Sequence, residues 1–348
     1  MIADLRLGKQ LGLRRLATPD GYFTMVALDQ RPPIANLVAK RRGIAPAVVT
    51  FNDIVDVKRL IMEAVAGHAS AVLCDPNFGF PAVLPRLRPD TGLVVTLEEH
   101  RFQETTGGRL SGSIRNWSVA KIRRMGADGV KVLAWYRPDA HRDVLEHQQA
   151  YVEAVGRQCR EHDIPFVLEL LVYPFPKDRA HTADYVESPE KMPELVIDSV
   201  REFAQPRYGV DLFKLESPWP GATLPARDGG PAQRDVQAAF DEMGDICGAA
   251  SIPWVMLSAG VTSTQFARVM EYAYAAGANG FLAGRAIWWE PMQQFPDLDA
   301  CAAALARQVP ETVAELEELT RRAARAWAAD FGALDGVAAE GEICAAYA

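Results

Sequence analysis

The stretch VDLFKLES (210–217) puts a lysine, Lys214, at the centre of an apolar run. The chain breaks just upstream at Gln205-Pro206, so the run reads as a strand entered from a turn. Its apolar residues are nearly continuous, as expected for a parallel strand covered on both faces. Lysine is almost never fully buried unless it is paired or used, so Lys214 needs a reason. Seven more runs of this kind lie outward along the chain: YFTMVALD (22–29), SAVLCD (70–75), GLVVTLE (92–98), GVKVLAWY (129–136), IPFVLELLVY (164–173), IPWVMLS (252–258) and NGFLAG (279–284).

Helical patterns fill the gaps. Asn52-Asp53 is the expected cap of a helix reaching about Gly67, with Ile54, Val57, Leu60, Ile61 and Val65 on one stripe. Further helices are expected over 116–126, 139–162, 189–204 (opening at Ser188-Pro189), 232–249 and 262–277 (Thr262 to Gly277). Eight strands alternating with helices predict an α/β chain folded as a (β/α)8 TIM barrel. An open, doubly wound sheet is the alternative, but no GxGxxG follows the first strand. With no low-complexity linker, residues 1–348 read as one domain, the barrel over about 20–290 and a C-terminal helical extension over about 291–348. The Ala-, Leu-, Glu- and Arg-rich segment 297–331 reads as one or two of those extra helices, packed on the barrel or forming a homo-oligomer contact.

Composition narrows the setting. Of 348 residues, 49% are hydrophobic, enough for a substantial core. A net charge of −8 argues against a nucleic-acid partner, though not against one small cationic pocket. The five cysteines are widely spaced and form no CxxC, which suggests free thiols in a reducing cytoplasm. No apolar run reaches transmembrane length, so no membrane partner is expected. The opening MIADLRLGKQLGLRR lacks the apolar core of a secretory signal.

In such a barrel, working groups come from the C-terminal ends of the strands. Asp29 closes the first strand, followed by Gln30 and Arg31; Lys131 lies in the fourth and Glu169 in the fifth; Lys214 and Glu216 lie in the sixth. By alternation Lys214 and Glu216 share one face and Phe213 and Leu215 the other, so Lys214 points into the barrel mouth if the apolar pair meets the helices. Purely structural ion pairs, Lys131 with Glu169 and Lys214 with Asp29, would also explain these charges. Convergence of all of them at one end favours chemistry. Burial disfavours a charged amine, and a neutral amine attacks a carbonyl to give a Schiff base. Glu169 would then carry protons, with Lys131 as second cation.

The loops after strands seven and eight are the usual phosphate cradle of this fold. Here they read LSAGV (257–261) and AGRAIW (283–288). Ser258, Ala259 and Gly260 offer backbone N–H groups, and Arg285, directly after Gly284, adds a charged fork. The six histidines (68, 100, 141, 147, 162, 181) are scattered, and only His100 follows a strand, so neither a metal nor another cofactor is expected.

The segments LDQR (28–31), LCDPNFGFPA (73–82), NWSVAKIRRMGADGVKVLAWY (116–136), DIPFVLELLVY (163–173), VDLFKLESP (210–218), LSAGV and AGRAIW resemble the tagatose 1,6-bisphosphate aldolase family, in order and over about residues 20–290. The resemblance implies a class I aldolase on a (β/α)8 barrel, with Lys214 as Schiff-base lysine, Glu169 as acid/base, Lys131 and Asp29 beside them, and Ser258, Gly260 and Arg285 around phosphate. The implied reaction is reversible cleavage of a ketose phosphate to dihydroxyacetone phosphate and an aldehyde. One departure stands out. After the third strand the family has a lysine following the glutamate, whereas here the run is LEEHRFQETTGGRL (97–110), with Glu99 and His100. That leaves recognition of a second, distal phosphate open, with Arg101 or Arg109 as substitutes for the missing cation. LAWYRPD (133–139) is also similar to sulfofructose phosphate aldolases, whose aldehyde carries a sulfonate. Two other readings are a metal-dependent lyase, which the histidines disfavour, and a non-catalytic sugar-phosphate sensor, which loss of Lys214 or Glu169 would favour; both are present.

Overall fold

The computed structural model describes residues 7–178, 181 and 191–327. Eight parallel strands close a barrel: β1 (Phe23–Leu28), β2 (Ala71–Cys74), β3 (Gly92–Thr96), β4 (Gly129–Trp135), β5 (Phe166–Leu171), β6 (Leu212–Leu215), β7 (Trp254–Met256) and β8 (Gly280–Ala283). β8 pairs back with β1, Phe23 facing Gly280 in register. Every one of the eight predicted runs supplies a strand. The continuous apolar reading has a simple cause. Phe213 and Leu215 join the outer core under the helices, while Leu212 joins an inner layer with Met25, Leu73, Val94, Val167, Val255 and Leu282.

The inner layer is closed from below by α1 (Leu7–Leu16), whose Leu13 and Leu16 pack onto it. A Cβ at Gly12 would come within 2.6 Å of the Asp128 carbonyl, so only glycine lets this helix lie so close. The Asp163 carboxylate accepts the backbone N–H groups of Gly8 and Lys9, and Lys9 Nζ meets Asp211 at 2.6 Å.

The outer layer includes α2 (Pro32–Arg42), α3 (Phe51–Val65), α4 (Val119–Arg124), α5 (Arg142–Glu161), α6 (Pro193–Phe203), α7 (Pro231–Ala249), α8 (Ser263–Ala275) and α9 (Leu298–Ala323). Several starts differ from expectation. The cap of α3 is Thr50, in a capping box with Asp53, and Asn52 lies inside the helix. α4 is capped by Ser118, while Asn116 takes a left-handed turn at φ 61°. α6 starts at Pro193, and the expected start at Ser188-Pro189 lies outside the described residues. The tail forms one helix, α9, through Pro310, and residues beyond 327 lie outside the description. Among the described residues no helix is long and apolar enough to cross a membrane.

Candidate active site

The strand register builds the centre. On β5 and β6, Glu169 faces Lys214, so two parallel strands present both side chains inward at the same level. On β3 and β4, Thr96 faces Lys131, and Glu98, two residues further along, follows on the same face. The side chains meet in the mouth. Glu169 Oε2 lies 2.9 Å from Lys214 Nζ and 2.8 Å from Lys131 Nζ, so one oxygen bridges both ammonium groups. Lys131 Nζ also reaches Glu98 Oε1 at 2.6 Å and Asp29 Oδ2 at 3.0 Å. All five side chains are nearly or fully buried.

This corrects the expected pairing. Lys131 does meet Glu169, but Asp29 belongs to Lys131, and Lys214 meets Glu169. Glu216 is not part of the site. It lies past the last paired residue of β6, accepts the Val172 N–H at 2.6 Å and meets Lys191 at 2.7 Å.

Charge sets the protonation pattern. Burial works against the Lys131 ammonium, but the carboxylates of Asp29, Glu169 and Glu98 outweigh it and hold its pKa well above the usual lysine value. Burial alone would raise Asp29, yet Lys131, Lys214 and Lys58 together push it well below the usual carboxylate range. Glu98 goes the other way: burial raises its pKa, and the nearby Lys131 does not fully compensate. Two carboxyls touching one lysine are thus driven apart, the arrangement that separates acid from base roles.

Two neighbouring cavities open onto these groups. One, of about 140 Å³, is bordered by Asp29, Gln30, Arg31, Glu98, His100, Lys131, Glu169, Lys214 and Arg285, with Leu133, Trp135 and Leu171 as an apolar wall. A smaller one, of about 50 Å³, is bordered by Gln30, Glu169, Lys214, Ser258, Ala259, Gly284 and Arg285. Ser258, Ala259 and Gly260 form the turn from β7 into α8, with Ala259 and Gly260 at φ 48° and 87°. A Cβ on Gly260 would lie 2.9 Å from Arg285 Cζ, so glycine leaves room for the guanidinium against the turn. The sequence-selected residues therefore gather in one place.

Arg31, which also borders the larger cavity, is buried and donates to the Glu98 carbonyl at 3.3 Å. Its Nε and Nη1, and Gln30 Oε1, are buried without a hydrogen-bond partner among the described residues. The Glu99 carboxylate is 3.7 Å from Arg31 Nη1 and 2.5 Å from His100 Nδ1. Burial, then the Arg31 charge, lowers the pKa of His100. Arg109 is not a rim cation. It is buried against Phe102, Trp135 and Tyr173, with its guanidinium 4.0, 4.7 and 5.0 Å from the ring centres. Arg101 is exposed and does not border either cavity.

Glu98 is the residue that sequence reasoning missed. Its signal was available, since it closes the third apolar run as Asp29 closes the first. Lys58 and Asp75 were missed as well. Among the described residues, no group of three or more His, Cys, Asp or Glu side chains is placed to hold a metal ion. Asp29, Glu98 and Glu169 do converge, but on an ammonium.

Fold and site together are those of a (β/α)8 barrel enzyme. The chain belongs to the DeoC/LacD family of aldolases, whose family model matches residues 23–290. It is thus an aldolase, a lyase that breaks carbon–carbon bonds. The tagatose 1,6-diphosphate aldolase of Listeria monocytogenes serotype 4a (strain HCC23) is 32% identical over 343 residues, covering 97% of this chain and 98% of the relative. That of Streptococcus pneumoniae serotype 4 (strain ATCC BAA-334 / TIGR4) is 31% identical over 325 residues, covering 92% and 97%. Among solved structures, the fructose-bisphosphate aldolase of Plasmodium falciparum shares the fold, with a TM-score of 0.65 at 11% identity over 93% of this chain and 96% of that one.

Proposed function

We propose that this aldolase works through a Schiff base on Lys214 and cleaves a tagatose 1,6-bisphosphate-like ketose phosphate to dihydroxyacetone phosphate and an aldehyde. The observation that carries this reading is the single Glu169 oxygen between Lys214 and Lys131, set in a cavity bordered by both Arg285 and Arg31. Curated relatives at about this distance are tagatose 1,6-diphosphate aldolases, which supports the substrate class.

The steps follow from the geometry. The Lys214 amine adds to the ketose carbonyl carbon, and the carbinolamine oxygen leaves as water with a proton from Glu169, 2.9 Å away. The iminium withdraws electrons from the neighbouring carbons. Glu169, now a carboxylate, takes the proton of the hydroxyl on the carbon to be released, while the Asp29 carboxylate accepts the hydrogen bond of a neighbouring substrate hydroxyl and fixes its pose. The carbon–carbon bond then breaks. Its electron pair forms the enamine, and the hydroxyl-bearing carbon leaves as the aldehyde. The enamine carbon takes back a proton, and water returns Lys214 and dihydroxyacetone phosphate. Lys131 keeps Asp29 ionised throughout, and Glu98, its pKa raised by burial, shares that lysine on the wall. Ser258, Gly260 and Arg285 hold the phosphate next to the reacting carbonyl.

Borohydride trapping tests the mechanism. The enzyme is incubated with dihydroxyacetone phosphate, reduced, digested and mapped by mass. The added mass is expected on Lys214 and absent from Lys214→Met, and activity should survive a chelator. A label on Lys131 alone, or none on folded protein, would reject the assignment.

The surroundings of Arg31 favour a second reading of the aldehyde. Arg31 stands beside the Glu99 carboxylate, with His100 biased toward neutrality, so the local positive charge is small. That suits a monoanionic sulfonate as well as a phosphate. Arg31→Met should lower kcat/KM for a ketose carrying a charged distal group by about 10–100-fold, the size of a lost charge-assisted contact. It should leave a ketose 1-phosphate with a neutral tail within about threefold. Equal losses on both substrates would show that Arg31 does not read the distal group.

A further inference from the structure

A second lysine–carboxylate pair lies outside the two cavities. Lys58 projects from α3 among Ile54, Val57, Ile61 and Met62, fully buried. Its Nζ lies 2.5 Å from Asp75 Oδ2 and 2.5 Å from the carbonyl oxygen of Leu28. Asp75, also fully buried, follows β2, and its Oδ1 accepts the backbone N–H groups of Asn77 and Phe78 at 3.0 and 2.8 Å.

Stability alone does not account for such a pair. A buried ion pair roughly breaks even against apolar groups of the same volume, and the rest of this face of α3 is apolar. Its position is more telling. Leu28 immediately precedes Asp29, and the carbonyl one residue earlier, that of Ala27, accepts the indole N–H of Trp288 at 3.0 Å. Side chains from α3 and from the short helix Arg285–Trp288 after β8 therefore hold the backbone where β1 enters the mouth. The Lys58 charge also reaches Asp29, adding to those of Lys131 and Lys214.

We propose that Lys58 and Asp75 are positioning residues that fix the Leu28–Asp29 peptide so that the Asp29 carboxylate meets both Lys131 and the substrate hydroxyl. The proposal rests on the aldolase mechanism given above. Asp29 reaches Lys131 at 3.0 Å from a backbone held by Lys58. Release of the Leu28 carbonyl lets that carboxylate move, and misplacement of a reacting group by about 1 Å costs on the order of 100-fold in rate. Schiff-base formation at Lys214 uses Glu169 instead, so it should be spared.

The test compares wild type, Lys58→Met/Asp75→Leu, Asp29→Asn and the triple variant, each checked for fold by circular dichroism and melting. The Met/Leu double removes both charges and leaves no unpaired buried ion behind. Relative to wild type it should lose about 10–100-fold in cleavage kcat, keep KM within about threefold, and still take the borohydride label on Lys214. In the Asp29→Asn background the same two changes should cost less than about twofold, because effects routed through one group do not multiply. Unchanged kcat in the folded double variant would overturn the proposal. So would an equal fold-loss with and without Asp29, the outcome of a merely structural pair. Absence of label in the wild type is a separate result: it would overturn the Schiff-base mechanism, and this proposal with it.

Discussion

Lys131 shows how one buried cation organises a site. Three carboxyl groups, those of Asp29, Glu98 and Glu169, lie within hydrogen-bond distance of its Nζ. An amine whose pKa is raised by folding contributes stability that is fully present below its unfolded value, about 10.4. That contribution fades as pH climbs through the higher folded value. Lys131→Met inverts the situation. The carboxyls lose their shared partner: Asp29 loses the largest charge that lowers its pKa, Glu98, already raised by burial, climbs further, and the folded state binds more protons. The deficit in melting temperature against wild type is therefore expected to be largest at neutral pH and to shrink from pH 7.5 to pH 5. Thermal melts across that range check it, and a deficit independent of pH would mean that Lys131 acts by packing rather than by charge.

At the scale of elements, strands were more legible than helix starts, for a physical reason. A parallel strand buried on both faces leaves an uninterrupted apolar run, and eight such runs were visible, Lys131, Glu169 and Lys214 among them. A helix start is decided by one side chain and a few degrees of backbone. Thr50 and Asp53 close a reciprocal capping box, whereas Asn52 looks equally polar in sequence but is already the second residue of the helix. Asn116, a good cap by type, instead takes a left-handed turn two residues before the true cap, Ser118. Partner choice was the least legible feature. Register put Glu169 beside Lys214, but it took the reach of Lys131 across the mouth to bring in Asp29 and Glu98. Arg109 was misread as a rim cation because the string LEEHRFQETTGGRL holds only one of the three rings that enclose it, Phe102, while Trp135 and Tyr173 come from distant strands.

The whole molecule divides its labour between two ends. The mouth holds the proposed active site, and the floor is sealed by α1, whose Leu16 is fully buried against the inner layer. Leu16→Ala should cost about 2–5 kcal/mol, the usual range for a buried leucine, yet leave kcat of the folded enzyme within about twofold. Denaturant melts and steady-state rates on the same preparation check this, and a large fall in kcat would mean that floor and mouth are mechanically coupled. The floor also bears on how the chain is made. α1 is translated before any strand, but Asp163 and Asp211, which hold Gly8 and Lys9, come far later; Lys9 and Asp211 are 202 residues apart. At roughly 5–20 residues per second, α1 waits about 10–40 s for its berth to exist. Its Leu13 and Leu16 spend that interval undocked, so a segment made before the strands is among the last to settle, and the nascent barrel stays open at its base until most of its staves have been synthesised.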